Sequence, residues 1–110
     1  FEGEIGLVIG ARLTRADAAA ARAAIVAVVA ANDVTARDLQ RSDGQWTRAK
    51  GFDTFCPLGE PVPTPDDLAS VAVVTRVNGV ERQRGAVADM AVSPADLLAY
   101  ISGIMTLEPG

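Results

Sequence analysis

FEGEIGLVIG, residues 1–10, is the stretch on which the fold class turns. Ile5, Leu7 and Ile9 alternate with Glu4, Gly6 and Val8, the period-two pattern of a strand with one buried face. The same period puts Glu2 and Glu4 on one side, roughly 7 Å apart at the backbone. The glycines allow a ligand or another backbone to come close.

Downstream, Thr14 followed by Asp17 resembles a capping box and predicts a helix from near Arg15, which alanine carries to about Ala24. IVAVV, residues 25–29, is rich in β-branched side chains and predicts a second strand running to about Val34. TARDLQR, residues 35–41, is a short helical turn broken by Asp43-Gly44. Residues 45–60 are bulky and aperiodic, which marks a functional loop more than a linker. Pro57, Pro61, Pro63 and Pro65 indicate extended, irregular backbone. Val71–Val77 and Val80–Arg84 read as a hairpin around Asn78-Gly79. Ser93 caps a last helix with Pro94 at its first position and Leu97, Leu98, Ile101 and Ile104 as its apolar stripe. The fold class expected is α+β, mostly β.

Composition narrows the chemistry. The chain has 110 residues, a net charge of −4, one cysteine and no histidine. No basic cluster suits a phosphate backbone, so nucleic acid is not an expected partner. The apolar stretch Ala16–Ala31 carries Asp17 and Arg22, so no membrane span is expected. No charged-then-apolar leader is legible, and Cys56 alone makes no internal disulfide; a reducing cytoplasm fits. Without histidine, these residues build neither a Ser-His-Asp triad nor a histidine-ligated zinc site. A metal here must take oxygen ligands, which points to magnesium, manganese or calcium. The opening at Phe1 and the closing turn Leu107-Glu108-Pro109-Gly110 suggest an internal fragment.

Glu2 and Glu4 could converge on one cation at metal–oxygen distances of about 2.0–2.6 Å. A solvated strand face explains the same spacing, and spacing alone favours it. Asp33 is equally a helix N-cap or a third carboxylate. Three carboxylates and an anionic substrate would need cations nearby, and Arg37 and Lys50 are at hand, although each could also be an ordinary surface charge.

The run NDVTARDLQRSDGQWTRAKGFDTFCPLG, residues 32–59, closely resembles a signature of the fumarylacetoacetate hydrolase family. FEGEIGLVIG resembles that family's paired-glutamate strand. TRVNGVERQRG, ADM and LLAYISGIMTLEPG are similar in order and spacing to its later segments. The resemblance spans the whole chain and implies a fragment, residues 1–110, of one catalytic domain with a mixed β-roll and short helices. It implies magnesium or manganese held by Glu2, Glu4 and Asp33, with calcium possible. It implies Lys50 as the catalytic contact to the substrate's oxygen-rich end, with Arg37 and Gln40 also binding substrate. Lys50 is not a ligand, so its charge is not expected to bear on cation affinity.

The activity implied is hydrolysis of a carbon–carbon bond in an acylpyruvate such as fumarylpyruvate, in aromatic compound catabolism. Isomerisation or decarboxylation of 2-oxo diacids on the same site, or a non-catalytic remnant, are the alternatives. The partner implied is a small-molecule 2-oxo acid, and the full-length protein is expected to be a cytoplasmic homodimer. The family's His-Glu lid pair and its Thr-Gly-Thr-Pro loop have no counterpart in these residues, so the chain alone is expected to have little activity. Ala86-Val87-Ala88 stand where the family usually has polar residues, often a threonine.

Overall fold

The computed structural model describes residues 1–110. Strand β1 (Gly3–Ile9) runs antiparallel to β2 (Ile25–Asn32), with Gly3 opposite Asn32, Glu4 opposite Ala31 and Leu7 opposite Val28. The two-residue strand β3 (Val62–Pro63) pairs with the other side of β2, an edge position where proline costs no ladder bond. A separate hairpin joins β4 (Ala72–Val77) to β5 (Val80–Ala86). Asn78 and Gly79 have φ of 51° and 79°, the left-handed pair that a type I′ turn requires.

Four helices complete the fold: α1 (Ala18–Ala24), α2 (Arg37–Ser42), α3 (Thr47–Lys50) and α4 (Pro94–Ile104). The α+β class holds, with helix and strand in near-equal shares. No helix is long and apolar enough to cross a membrane.

The core gathers on one face of the β1–β2 pair. Leu13, Ala21, Ala24, Ile25, Val28, Leu68 and Leu98 form a buried cluster, and Ile5, Leu7 and Ile9 pack against it. The alternation in residues 1–10 therefore reads correctly. Glu4 falls on the opposite side of β1, the side that carries the candidate site.

Three expectations are corrected. Helix α1 starts at Ala18, because Asp17 is its N-cap and accepts from the Ala20 amide at 2.8 Å. Arg15 has φ 49°, and the Arg15 and Ala16 amides donate to the Ser102 carbonyl and hydroxyl instead of entering a helix. Strand β2 stops at Asn32, where the Val34 amide turns back to the Asn32 carbonyl at 2.9 Å. The α4 stripe is only partly buried. Leu98 is inside, but Ile104 is 65% exposed, while Ser102 is 2% exposed. Alanine-rich α1 lets α4 approach closely, so a small hydroxyl residue fills the contact and satisfies itself on the Ala99 carbonyl.

Candidate functional site

The site stands where the β1–β2 ladder ends. Glu2 precedes β1, and the Asp33 amide donates to the Glu2 carbonyl at 2.9 Å, so the pairing continues one residue beyond the strands. Residues facing each other across an antiparallel pair project to the same side, and Glu4 joins Glu2 by the period of two. The result is a cluster in which one carboxylate oxygen from each of Glu2, Glu4 and Asp33 lies within 4.8 Å of the others. Ala31, the small partner of Glu4, leaves the face open.

The backbone here is tightly held. The Glu2 amide donates to Asn32 Oδ1 at 2.9 Å, and the Gly3 amide and carbonyl bond the Gln83 side chain of β5. Gly3 is required by packing: a Cβ there would lie 2.0 Å from Thr75 Oγ1 of the hairpin.

Cations arrive from the segment after β2. Helix α2 brings Arg37, whose guanidinium donates to Glu2 Oε1 at 2.7 Å and to Gln40 Oε1 at 2.8 Å. Gln40 thus supports Arg37 and makes no hydrogen bond to the carboxylates. The residues expected to be one aperiodic loop contain α3, which delivers Lys50 to the cluster. Lys50 Nζ bonds Asp33 Oδ2 and lies 3.3 Å from Glu2 Oε2. It sits 5.9 Å from the Trp46 ring centroid, within range of a cation–π attraction.

Thr35 was not singled out from the sequence, yet it is buried at the centre of these groups. Its hydroxyl donates to the Asp33 carbonyl at 2.8 Å and accepts from Lys50 Nζ at 3.1 Å. Its spacing of two from Asp33 was the available signal, masked by the expectation of a helical turn from residue 35.

The three acidic and basic environments differ. The Arg37 guanidinium holds the Glu2 carboxyl below its ordinary value, with Lys50 adding to the effect. Glu4 is exposed, but partial desolvation on the sheet face pushes its carboxyl up, and the charges of Asp33 and Glu2 push it further. The Asp33 carboxylate draws the Lys50 ammonium up, so it stays charged.

Oxygen ligands separated by up to about twice a metal–oxygen distance can share one hard cation, roughly 4–5 Å. The 4.8 Å cluster meets that limit, and its donors are all carboxylate oxygens. Glu4 also borders an apolar groove of about 340 Å³ that includes Ile5, Val28, Val62 and Val73. Lys50 borders a second hollow of about 400 Å³ lined by Gly44, Gln45, Trp46 and Thr47. Neither hollow includes all three carboxylates. Cys56, Phe52 and Phe55 make none of the site's hydrogen bonds; the two phenylalanine rings pack edge to face at 5.4 Å.

The family model for the fumarylacetoacetate (FAA) hydrolase C-terminal domain matches residues 1–110. A crystal structure of 5-carboxymethyl-2-hydroxymuconate delta-isomerase from Mycobacterium smegmatis is 46% identical with a TM-score of 0.92, over 99% of this chain and 43% of that one. Fumarylacetoacetate hydrolase from Exiguobacterium antarcticum is 39% identical with a TM-score of 0.90, over 98% of this chain and 40% of that one. The mitochondrial oxaloacetate tautomerase of Homo sapiens is 38% identical over the whole of this chain and 37% of its own length. The chain spans about half or less of the length of the curated relatives it matches, 43–46% for three of them.

Proposed function

The chain belongs to the fumarylacetoacetate hydrolase family, and from that premise we propose that it forms the cation-binding, enolate-stabilising part of an enzyme that cleaves a carbon–carbon bond in acylpyruvate-type 2-oxo acids. The observation that carries this reading is the meeting of three carboxylates, Glu2, Glu4 and Asp33, with the Lys50 ammonium at one end of the sheet.

Glu2, Glu4 and Asp33 would hold magnesium or manganese, with calcium a third choice by donor type. Such a cation, when bound, supplies Lewis acidity and a template for the oxygens of a 2-oxo acid. Lys50 faces the oxygen-rich end of the substrate and holds negative charge that builds on its enolate oxygen. Arg37 offers its free N–H groups to the substrate carboxylate, and Gln40 keeps the guanidinium turned toward the cluster. In the hollow beside Lys50 the Trp46 ring offers the acyl end one apolar surface among polar neighbours. In hydrolysis a water gives one proton to a base as its oxygen bonds to the distal carbonyl carbon, and the adjacent carbon–carbon bond then breaks to leave the acyl part as a carboxylic acid. The electron pair of that bond leaves as the enolate of pyruvate, which Lys50 stabilises until a proton adds at carbon.

Isomerisation or decarboxylation of a 2-oxo diacid is the second reading. It is favoured by the 46% identity to the Mycobacterium smegmatis isomerase against 39% to the Exiguobacterium hydrolase. An isomerisation needs the same charge stabilisation but no activated water. The test is incubation of the full-length protein with Mn²⁺ and a panel of acylpyruvates and 2-oxo diacids, with products followed by NMR. Pyruvate plus a free acid supports cleavage, and a moved double bond or released CO₂ supports the second reading. Absence of turnover together with absence of saturable Mn²⁺ binding overturns both.

A further inference from the structure

We infer that Gln83 is a positioning residue for the paired glutamates, clamping from the hairpin the backbone that joins them. The inference rests on the cation-binding reading above.

Strand β1 is the edge of its sheet, since only β2 pairs with it. Its outer side therefore presents backbone groups without a strand partner. At Gly3 that role passes to a side chain. The Gly3 amide donates to Gln83 Oε1 at 2.8 Å, and Gln83 Nε2 donates back to the Gly3 carbonyl at 2.9 Å. This is the pair of bonds that one residue of a neighbouring strand would exchange. A primary amide offers an acceptor and a donor side by side; a carboxylate offers only acceptors, and a hydrocarbon neither.

The place of the clamp gives it consequence. Gly3 lies between Glu2 and Glu4, and the bonds cross 80 residues of sequence. On its Glu2 side the Glu2 amide is held by Asn32 Oδ1 and the Glu2 carbonyl by the Asp33 amide. Gln83 thus fixes the stretch that β2 leaves free, and the hairpin approaches it so closely that Thr75 Oγ1 fills the space of a Gly3 side chain. Gln83 makes no hydrogen bond to Glu2, Glu4 or Asp33 side chains, so it acts through the backbone. Cation ligands need placement to about half an ångström, and losing an outer partner typically costs 10–100-fold in metal affinity.

The experiment compares wild type, Gln83→Met and Gln83→Asn by hydrogen exchange of the Gly3 amide and by calorimetric titration with MnCl₂. Methionine keeps the length and loses both bonds; asparagine keeps the amide but falls one methylene short. Both are expected to exchange the Gly3 amide at least about tenfold faster and to bind Mn²⁺ about tenfold or more weakly. The other β1 and β2 amides should keep their protection, and Arg82→Ala on the same strand should match wild type. Gly3 exchange and Mn²⁺ affinity within twofold of wild type in Gln83→Met overturn the inference. Uniformly faster exchange across the domain also overturns it, because that reports general stability. Should wild type itself show no saturable Mn²⁺ heat, the cation reading fails and takes the ligand-positioning role with it, while the Gly3 exchange still reports whether the clamp exists.

Discussion

The Asp33 amide donates to the Glu2 carbonyl at 2.9 Å, one residue past the Gly3–Asn32 pair that ends the regular ladder. That bond makes the two carboxylates cross-strand neighbours although 31 positions separate them in the chain.

Glu4→Gln is expected to weaken Mn²⁺ binding about tenfold or more and to raise the melting temperature of the cation-free protein. Partial desolvation and the charges of Asp33 and Glu2 raise the Glu4 carboxyl above its ordinary 4.5. A raised carboxyl binds its proton more tightly folded than unfolded, so its ionised form destabilises the fold once pH exceeds that value. Glu2 has the opposite sign: lowered by Arg37, it contributes stability above 4.5 that is lost as pH falls through its folded value. Protons should therefore compete with the cation first at Glu4. Calorimetric titrations from about pH 7 down to about pH 5 should show affinity falling in wild type before free glutamate would titrate. Affinity unchanged in Glu4→Gln would remove Glu4 from the ligand set.

Lys50→Met is expected to lower kcat by about 10²-fold, the scale of removing one electrostatic stabiliser. A rise in KM with kcat unchanged would instead assign Lys50 to ground-state attraction alone. The expectation that Lys50 is independent of cation affinity gives way to its geometry, because the ammonium touches Glu2 and Asp33 directly. Removing it takes away a competing positive charge, and Mn²⁺ affinity should rise several-fold. Equal or weaker affinity would contradict that competition.

Thr35→Val keeps the volume of a buried side chain and deletes the hydroxyl that links the Asp33 carbonyl to Lys50. A loss of about 1–2 kcal/mol in unfolding free energy is expected. In the active protein kcat should fall as Lys50 loses a partner, while Thr35→Ser should recover most of both. Denaturant melts and steady-state kinetics on the two variants decide it, and a serine variant no better than valine would exclude the hydroxyl as the cause.

Gly3→Ala is expected to destabilise by about 1–3 kcal/mol, since the new methyl meets Thr75 Oγ1 at 2.0 Å and the Thr75 side chain or its strand must shift. Thr75→Ala removes that oxygen. The double variant should be less destabilised than the two single effects added together, by about 0.5–3 kcal/mol of coupling. Additive effects in denaturant melts would show that the hairpin does not rest on Gly3.

Read alone, the sequence determined the local elements whose signals are short in range. The alternation of Ile5, Leu7 and Ile9 identified β1 and its buried face, Asn78-Gly79 identified the hairpin, and Ser93-Pro94 identified the start of α4. It also confined the donors for a cation to oxygen, by containing no histidine and one cysteine. The tertiary structure decided where those elements meet. Two glutamates spaced by two describe a solvated strand as well as a cation site, and only the β1–β2 register sets Asp33 beside them. Helix α3, hidden in an aperiodic stretch, carries Lys50 to that face, and Thr35 and Gln83 join through bonds that span 15 and 80 residues. The same limit explains the misread start of α1 and the misread stripe of α4, which depend on Arg15, Ala16 and Ser102 meeting across the chain. Periodicity and propensity report what a segment prefers by itself. Register and long-range hydrogen bonds depend on the partner it finds, and that partner is chosen only when the chain packs.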